Sequence, residues 1–204
     1  MIVVCLLAVG AFLSGSLMFS YWLGLVLKKN ITSVGDGNPG ALNLWKASGM
    51  KFGLIGIVLD FMKGYAPVLL FMDYADGYAI VPLALAPIAG HAFSPFLRGK
   101  GGKAIAVTFG VWSALTGFKA SLVYAVTMAI LVAIFRLLIK GAFPSRQADA
   151  LQVVAGMAVV GAYLYGWKYA GPILGVWLGS IILLAYTHRV ELTRIMRAER
   201  ERRR

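Results

Sequence analysis

The sequence is poor in cysteine and in charge, and both shortages limit what the protein can be. Only one cysteine, Cys5, occurs among 204 residues, so neither a disulfide framework nor a cysteine metal site can be built. Charged residues make up 14% of the chain, whereas 60% of the residues are hydrophobic. A soluble domain of this size carries far more charge. The composition therefore predicts a polytopic, all-α membrane protein. We expect one integral membrane domain, 1–204, with a basic cytoplasmic tail at about 188–204.

Acidic residues are scarcer still, with eight against 20 lysines and arginines, and the net charge is +12. Such an excess can indicate a nucleic-acid partner. Here, however, the basic residues lie in short loops and one tail between apolar runs, which is the pattern that sets membrane topology. We therefore expect no nucleic-acid partner and a chain that crosses a membrane several times.

Apolar runs of about 17 to 25 residues are long enough to cross a bilayer as helices. The sequence contains seven candidate helices of this kind, the fourth of which is short. They extend roughly from Ile2 to Leu27, Phe52 to Met72, Ala79 to Leu97, Ala104 to Phe118, Ser121 to Leu138, Leu151 to Trp167 and Pro172 to Tyr186.

The distribution of basic residues predicts the orientation, because cytoplasmic loops carry the excess of lysine and arginine. If seven helices alternate in direction, 17 of the 20 basic residues fall on one side, Lys63 lies within a helix, and only Lys119 and Lys168 fall on the other side. This predicts an external N-terminus and a cytoplasmic C-terminus, with Asp73 and Asp76 in an external loop.

Two glycine-rich loops lie on the predicted cytoplasmic side. The first is "TSVGDGNPGALNLWK" (32–46) and the second is "RGKGGKAIAVTFG" (98–110). Glycine lets backbone N–H groups converge on an anion, and flanking lysines add charge. Either loop alone is equally typical of tight turns and interfacial anchoring. The residues that could bind phosphate in this way are Gly35, Gly37, Asn38 and Gly40 in the first loop and Lys100, Gly101, Gly102 and Lys103 in the second.

Two further features place ionisable groups near these loops. Asp60 and Lys63 lie three residues apart within a predicted membrane helix, so they can face each other and should point to the bundle interior. They form either a structural ion pair or part of a substrate site. His91 closely precedes the second loop, which favours substrate contact over the more usual role of a hydrogen-bonded interior histidine.

The order of the motifs "GNPGALN", "LDFMKG", "GHAFSPF", "GKGGKAIAVTFG" and "THR" resembles the bacterial acyl-phosphate:glycerol-3-phosphate acyltransferases, the PlsY family. The resemblance covers nearly the whole chain. It implies a seven-helix inner-membrane fold with the site in the cytoplasmic loops, and transfer of a fatty acyl group from acyl phosphate to glycerol 3-phosphate. Membrane lipids are the remaining expected partners, and the sequence does not indicate an oligomeric state.

The resemblance also implies which residues act. Those expected to bind the substrates or to orient them include Asn43 in the first loop and the Asp60–Lys63 pair. The residues expected to take part in catalysis are Asp36, Lys46, His91, Lys103, His188 and Glu191. The family mechanism is understood as largely substrate-assisted.

The chain departs from the family pattern at three of these positions. Asp36 stands where the family usually has serine, Lys46 replaces the usual arginine, and Glu191 takes a position where an amide is typical. A carboxylate repels phosphate unless a cation intervenes, and lysine lacks the bidentate fork of arginine.

Three hypotheses follow from these departures. The protein is an ordinary member of the family, a paralogue with another acceptor or donor, or a non-catalytic lipid-binding or transport protein on the same fold. We expect no cofactor, although Asp36 and Glu191 could hold a divalent cation that bridges to phosphate.

Overall fold

The structure is a computed structural model that describes residues 2–138 and 146–202, and all the regular structure within these ranges is helical. The all-α prediction is therefore confirmed. The α-helices are α1 (Ile2–Ser16), α2 (Phe19–Val26), α3 (Ala41–Ser48), α4 (Met50–Phe71), α5 (Ile80–Ala92), α6 (Ile105–Thr116), α7 (Lys119–Leu138), α8 (Arg146–Gly166), α9 (Gly171–Thr187) and α10 (Arg189–Arg202).

Each of the seven predicted apolar segments is helical, but they differ in their ability to cross a membrane. Within the described ranges, five helical segments are long and apolar enough to do so, with α1 and α2 counted together. The number is six if α9 and α10, which meet at a bend of 71°, form one broken span. Helix α6 has only 12 residues and is too short. The number of crossings and the orientation of the termini stay predictions. Three residues that entered the orientation argument lie outside the described ranges: Lys140, Arg203 and Arg204.

Several predicted boundaries were wrong. The first apolar segment is interrupted at Leu17 and Met18, between α1 and α2. The sixth begins at Arg146 rather than Leu151, because polar residues extend α8 toward the loops. The first glycine-rich loop also contains a helix, α3, that the sequence analysis missed. Gly49, with a φ of +84°, separates α3 from α4 and permits the sharp change of direction there.

Close helix crossings at glycine hold the bundle together. Helix α1 packs on α5, and α4 packs on α6. A methyl group at Gly15 would overlap the backbone of Pro87, and one at Gly64 would overlap the carbonyl oxygen of Val107. Such contacts let apolar helices approach until their backbones touch, which is the main source of packing energy where lipid surrounds the protein.

The polar loops meet at one end of the bundle. The loop between α2 and α3 contacts the loop that precedes α6. The first of these loops also contacts the beginning of α8, and the second contacts the beginning of α10. The candidate residues therefore share one site although they are far apart in the sequence.

Candidate active site

Asp36 organises the first glycine-rich loop. Its Oδ1 atom accepts hydrogen bonds from the backbone N–H of Asn38 at 3.1 Å and from Asn43 Nδ2 at 2.9 Å. Asn43 Nδ2 also donates to the carbonyl oxygen of Asn38 at 2.9 Å. An aspartate that accepts from the backbone two residues ahead is a common way to fix a tight turn. Asp36 therefore gives this loop its shape.

Lys103 joins the two loops to the last helix. Its Nζ atom lies 2.7 Å from Asp36 Oδ2 and 2.8 Å from Glu191 Oε1. All three side chains are largely shielded, with 18%, 19% and 11% exposed for Lys103, Asp36 and Glu191. The ammonium group thus supplies the positive partner that the two unusual carboxylates require.

The ion pair changes the titration of both loop residues. Burial by itself would raise the pKa of Asp36, but the hydrogen bonds from Lys103 and from the Asn38 backbone outweigh it and lower the pKa to about 2. Burial would likewise lower the pKa of Lys103, yet hydrogen bonds to Asp36 and Glu191 raise it. Asp36 and Lys103 therefore both stay charged at neutral pH.

The glycine N–H groups of the two loops form hydrogen bonds within the protein. The N–H groups of Gly101 and Gly102 donate to the carbonyl oxygens of Ala92 and His91, at 3.1 and 3.0 Å. The Gly37 N–H in the first loop likewise donates to the carbonyl oxygen of Val34 at 3.1 Å. These three donors are therefore already used by protein carbonyls in this structure, and the binding of phosphate by these glycines stays a prediction.

The Gly101–Gly102 pair lies directly against His91. A methyl group at Gly101 would overlap the His91 carbonyl oxygen, and one at Gly102 would overlap His91 Nε2. His91 is buried, and its Nδ1 atom has no hydrogen-bond partner in the part of the chain that the structure describes. The glycines therefore leave room for the imidazole beside the site.

Asp60 and Lys63 form the predicted ion pair in the bundle interior, with 2.9 Å between Lys63 Nζ and Asp60 Oδ1. Ser20 donates to Asp60 Oδ2 at 2.8 Å, and Lys63 donates to the Leu17 carbonyl oxygen at the break between α1 and α2. A helix break exposes backbone acceptors that must be satisfied inside a membrane protein. Lys63 therefore has a structural role, whereas Asp60 also borders the cavity described next.

A cavity of about 480 Å³ connects these groups. One side is polar, and the other is lined by apolar residues of α6, α7 and α8. Its lining residues are Asp36, Asn38, Gly40, Ala41, Leu42, Asn43, Lys46, Ile57, Asp60, His91, Lys103, Ala104, Ile105, Ala106, Phe109, Met128, Val132, Arg146, Asp149, Gln152, Val153 and His188. An amphipathic cavity of this kind suits a ligand with a charged head and a hydrocarbon chain.

Most of the predicted site residues meet at this cavity, but some do not line it. Glu191 and Lys63 do not line the cavity themselves. Each forms an ion pair with a residue that does, Glu191 with Lys103 and Lys63 with Asp60. Gly35, Gly37, Gly101 and Gly102 are also outside the lining, and Lys100 is outside it and exposed.

Three polar residues of α8 line the cavity and were missed by the sequence analysis: Arg146, Asp149 and Gln152. Arg146 donates to the carbonyl oxygen of Gly35 in the first loop. Their spacing of three residues places them on one side of a helix. This spacing could have been recognised from the sequence, but the predicted helix began at Leu151 and so excluded the first two of these residues.

His188 is buried at the end of α9 and borders the cavity. Its Nδ1 atom lies 2.8 Å from the carbonyl oxygen of Leu184. Because a carbonyl oxygen can only accept, Nδ1 carries the proton in this contact and Nε2 is left as a hydrogen-bond acceptor. Among the described residues, no three histidine, cysteine or acidic side chains are grouped as a metal site would require.

Comparison with known sequences identifies the family of the protein. The sequence model of the family "Glycerol-3-phosphate acyltransferase" matches residues 5–198. Glycerol-3-phosphate acyltransferase 1 of Thermotoga maritima is 38% identical over 91% of this chain and 94% of that protein. Glycerol-3-phosphate acyltransferase of Leptospira borgpetersenii is 35% identical over 91% of this chain and 85% of that protein.

Solved structures give the same result for the fold. The crystal structure of PlsY (YgiH), an integral membrane glycerol 3-phosphate acyltransferase, in its glycerol 3-phosphate form has a TM-score of 0.80 and 25% identity, over 96% of this chain and 92% of that chain. The lysophosphatidic acid form has a TM-score of 0.78, 26% identity and the same coverage. Because the match of sequence and fold extends over nearly the whole chain, the protein belongs to the glycerol-3-phosphate acyltransferase family.

Proposed function

We propose that the protein transfers the acyl group of an acyl phosphate to the 1-hydroxyl of glycerol 3-phosphate, in the inner (cytoplasmic) membrane of the cell. The product is lysophosphatidic acid, the first acylated intermediate on the way to phospholipids. The observation that carries this proposal is a cavity whose lining combines cationic and apolar side chains. Lys46, Lys103 and Arg146 provide the cations, and Phe109, Met128 and Val132 are among the apolar side chains.

Each substrate matches part of this cavity. Both carry a phosphate group, and ammonium and guanidinium groups bind phosphate through charge-assisted hydrogen bonds. The acyl phosphate alone carries a hydrocarbon chain, which the apolar residues of α6 and α7 would shield from water. Binding in this way places the acyl carbonyl next to the acceptor hydroxyl. In well-oriented model reactions, positioning of this kind lowers the activation barrier by about 7–11 kcal/mol.

The reaction needs no protein nucleophile. The oxygen of the acceptor hydroxyl forms a bond with the acyl carbon, the bond from that carbon to the phosphate oxygen breaks, and inorganic phosphate leaves. The hydroxyl proton leaves with that phosphate, either directly or through the free Nε2 of His188. Lys46, Lys103 and Arg146 stabilise the negative charge on the phosphates as the bond breaks.

The unusual carboxylates do not favour a changed acceptor. An amine or a divalent cation was considered as their partner because Asp36 and Glu191 require positive charge nearby. Lys103 lies within hydrogen-bond distance of both and supplies that charge. We therefore propose that glycerol 3-phosphate is the acceptor and that the reaction uses no divalent cation.

The test is acyl transfer by the detergent-purified protein, supplied with palmitoyl phosphate and radiolabelled glycerol 3-phosphate. We expect labelled lysophosphatidic acid, in equal amounts with and without a chelator. Product formed only when the chelator is absent would restore the cation hypothesis. No product from folded protein, followed by product with an amine or another alcohol, would show a changed acceptor. Binding of palmitoyl phosphate without turnover of any acceptor would indicate a non-catalytic lipid-binding protein.

A further inference from the structure

Gln152 on α8 combines burial with an unused hydrogen-bond donor. Its side chain is only 6% exposed, and its Nε2 atom has no hydrogen-bond partner among the described residues. A buried amide donor without a partner destabilises the folded protein. Gln152 nevertheless lines the cavity. An unpaired donor that borders a cavity is explained if a ligand in that cavity accepts its hydrogen bond.

The position of Gln152 in the cavity indicates which ligand atom it meets. Arg146, Asp149 and Gln152 lie on one side of α8, and a helix rises about 1.5 Å per residue, so Gln152 lies about 9 Å beyond Arg146 along the axis. Arg146 contacts the first loop, which supplies polar lining residues such as Asp36 and Asn38. Val153, adjacent to Gln152, belongs to the apolar core. Gln152 therefore lies where the polar lining gives way to the apolar lining.

The acyl carbonyl of the proposed donor must occupy the same transition. In an acyl phosphate, the carbonyl carbon is bonded to the phosphate oxygen on one side and to the hydrocarbon chain on the other. If cations hold the phosphate and apolar side chains hold the chain, the carbonyl lies between them. This step rests on the proposed function.

We propose that Gln152 Nε2 donates a hydrogen bond to the acyl carbonyl oxygen of the donor substrate. As the acceptor hydroxyl attacks, the carbonyl π electrons move onto this oxygen, which becomes negatively charged. They return when the bond to phosphate breaks and phosphate leaves with the proton. A fixed donor in a shielded site stabilises the oxyanion more than the neutral carbonyl, and it therefore lowers the barrier.

The first test compares Gln152→Leu with the wild-type protein. Leucine is similar in size but has no donor, so we expect kcat to fall about 10²–10³-fold, as for other oxyanion donors. We expect the KM for glycerol 3-phosphate to change little. The melting temperature should stay the same or rise, because the substitution removes an unpaired buried polar group. A structural glutamine would give the reverse result: a lower melting temperature and a nearly unchanged kcat.

Ser180→Ala is the matched control. The Ser180 hydroxyl is also buried and has no partner within residues 2–138 and 146–202, but Ser180 lies on α9 and does not line the cavity. Its replacement should leave kcat unchanged. An equal loss of kcat in both variants would mean that any change at a buried polar position disturbs catalysis, and the proposal for Gln152 would be wrong.

An infrared measurement separates this proposal from the proposed function. With palmitoyl phosphate labelled with ¹³C at the carbonyl and no acceptor present, the bound carbonyl should absorb at a lower frequency in the wild-type protein than in Gln152→Leu, because a hydrogen bond weakens the C=O bond. This shift can be seen even if glycerol 3-phosphate is the wrong acceptor. Equal frequencies in a wild-type protein that does transfer acyl groups would overturn the role of Gln152 alone. Failure of the wild-type protein to bind the labelled donor would overturn both proposals.

Discussion

The ammonium group of Lys103 lies 2.7 Å from the carboxylate of Asp36, so that one ion pair ties the second glycine-rich loop to the first. The same ammonium group lies 2.8 Å from Glu191 and thereby also holds the last helix. The three charges sum to −1. An incoming phosphate must therefore share Lys103 with two carboxylates, and it depends more on Lys46 and Arg146 than it would if Lys103 were free.

Lys103→Ala tests the importance of this shared cation. The variant loses one charged phosphate contact, worth about 1.5–3 kcal/mol, and leaves Asp36 and Glu191 without their partner. We expect kcat/KM for glycerol 3-phosphate to fall about 10- to 100-fold, which corresponds to the loss of about 1.5–3 kcal/mol of binding energy. Lys100→Ala is the control, since Lys100 is in the same loop but exposed and outside the cavity. Equal activity of the two variants would exclude Lys103 from phosphate binding.

Asp36→Ser tests whether the carboxylate hinders the acceptor. Serine keeps an oxygen that can accept from Asn38 and removes the negative charge, which frees Lys103 for phosphate. We expect activity to persist and the KM for glycerol 3-phosphate to fall up to about fivefold, in line with about 1 kcal/mol for a partly exposed charge pair. Asp76→Ser, in a loop away from the site, should have no effect. Loss of transfer in Asp36→Ser alone would favour an acceptor that the carboxylate itself recognises.

The Asp36–Lys103 pair should make stability depend on pH in a defined way. The pKa of Asp36 is lowered from 3.8 to about 2 in the folded protein, so its contribution is present above pH 3.8 and disappears as the pH falls through about 2. The pKa of Lys103 is raised above 10.5, so its contribution is present below that value and disappears as the pH rises through the folded-state pKa.

The measurement is the difference in melting temperature between the wild-type protein and Asp36→Asn in detergent. We expect a constant difference in favour of the wild-type protein between about pH 5 and 9, with a decrease at both extremes. A difference that stays unchanged as the pH falls from 3.8 to about 2 would show that the pair contributes nothing through its charge.

The fold was largely predictable because long apolar runs admit few structures in a membrane. Asp60 and Lys63 were correctly expected to pair, since their spacing fixes them on one helix face whatever surrounds the helix. The break at Leu17 and Met18 was not predictable, because it depends on a tertiary contact in which Lys63 satisfies the Leu17 carbonyl.

The sequence predicted which loops form the site, but not how their side chains pair. The motifs placed Asp36, Lys103 and Glu191 in the same region, but the pairing of one ammonium with two carboxylates depends on distances between loops that no motif contains. The α8 residues Arg146 and Gln152 were missed for another reason. They belong to no motif, and because the predicted helix began at Leu151 rather than at Arg146, their spacing was not recognised as one helix face.

The predicted orientation can be tested with cysteines introduced at two exposed positions. In a Cys5→Ala background, Asp76→Cys lies in the predicted external loop and Lys100→Cys in the predicted cytoplasmic loop. A membrane-impermeant maleimide should label Asp76→Cys in intact cells and Lys100→Cys only after the cells are opened, since the positive loops stay in the cytoplasm. The opposite pattern would place the cavity on the outer face and contradict the supply of phosphorylated substrates from the cytoplasm.

Gly102→Ala tests whether the second loop acts through packing against His91. The added methyl group would overlap His91 Nε2, so the loop or the imidazole must move. Overpacking of this kind costs about 1–3 kcal/mol, and we expect a lower melting temperature together with a loss of activity. Gly166→Ala is the matched control, because its methyl group would meet open space at the end of α8 and alanine favours helix by about 1 kcal/mol. If Gly102→Ala were as stable and as active as Gly166→Ala, the contact with His91 would not be what requires glycine there.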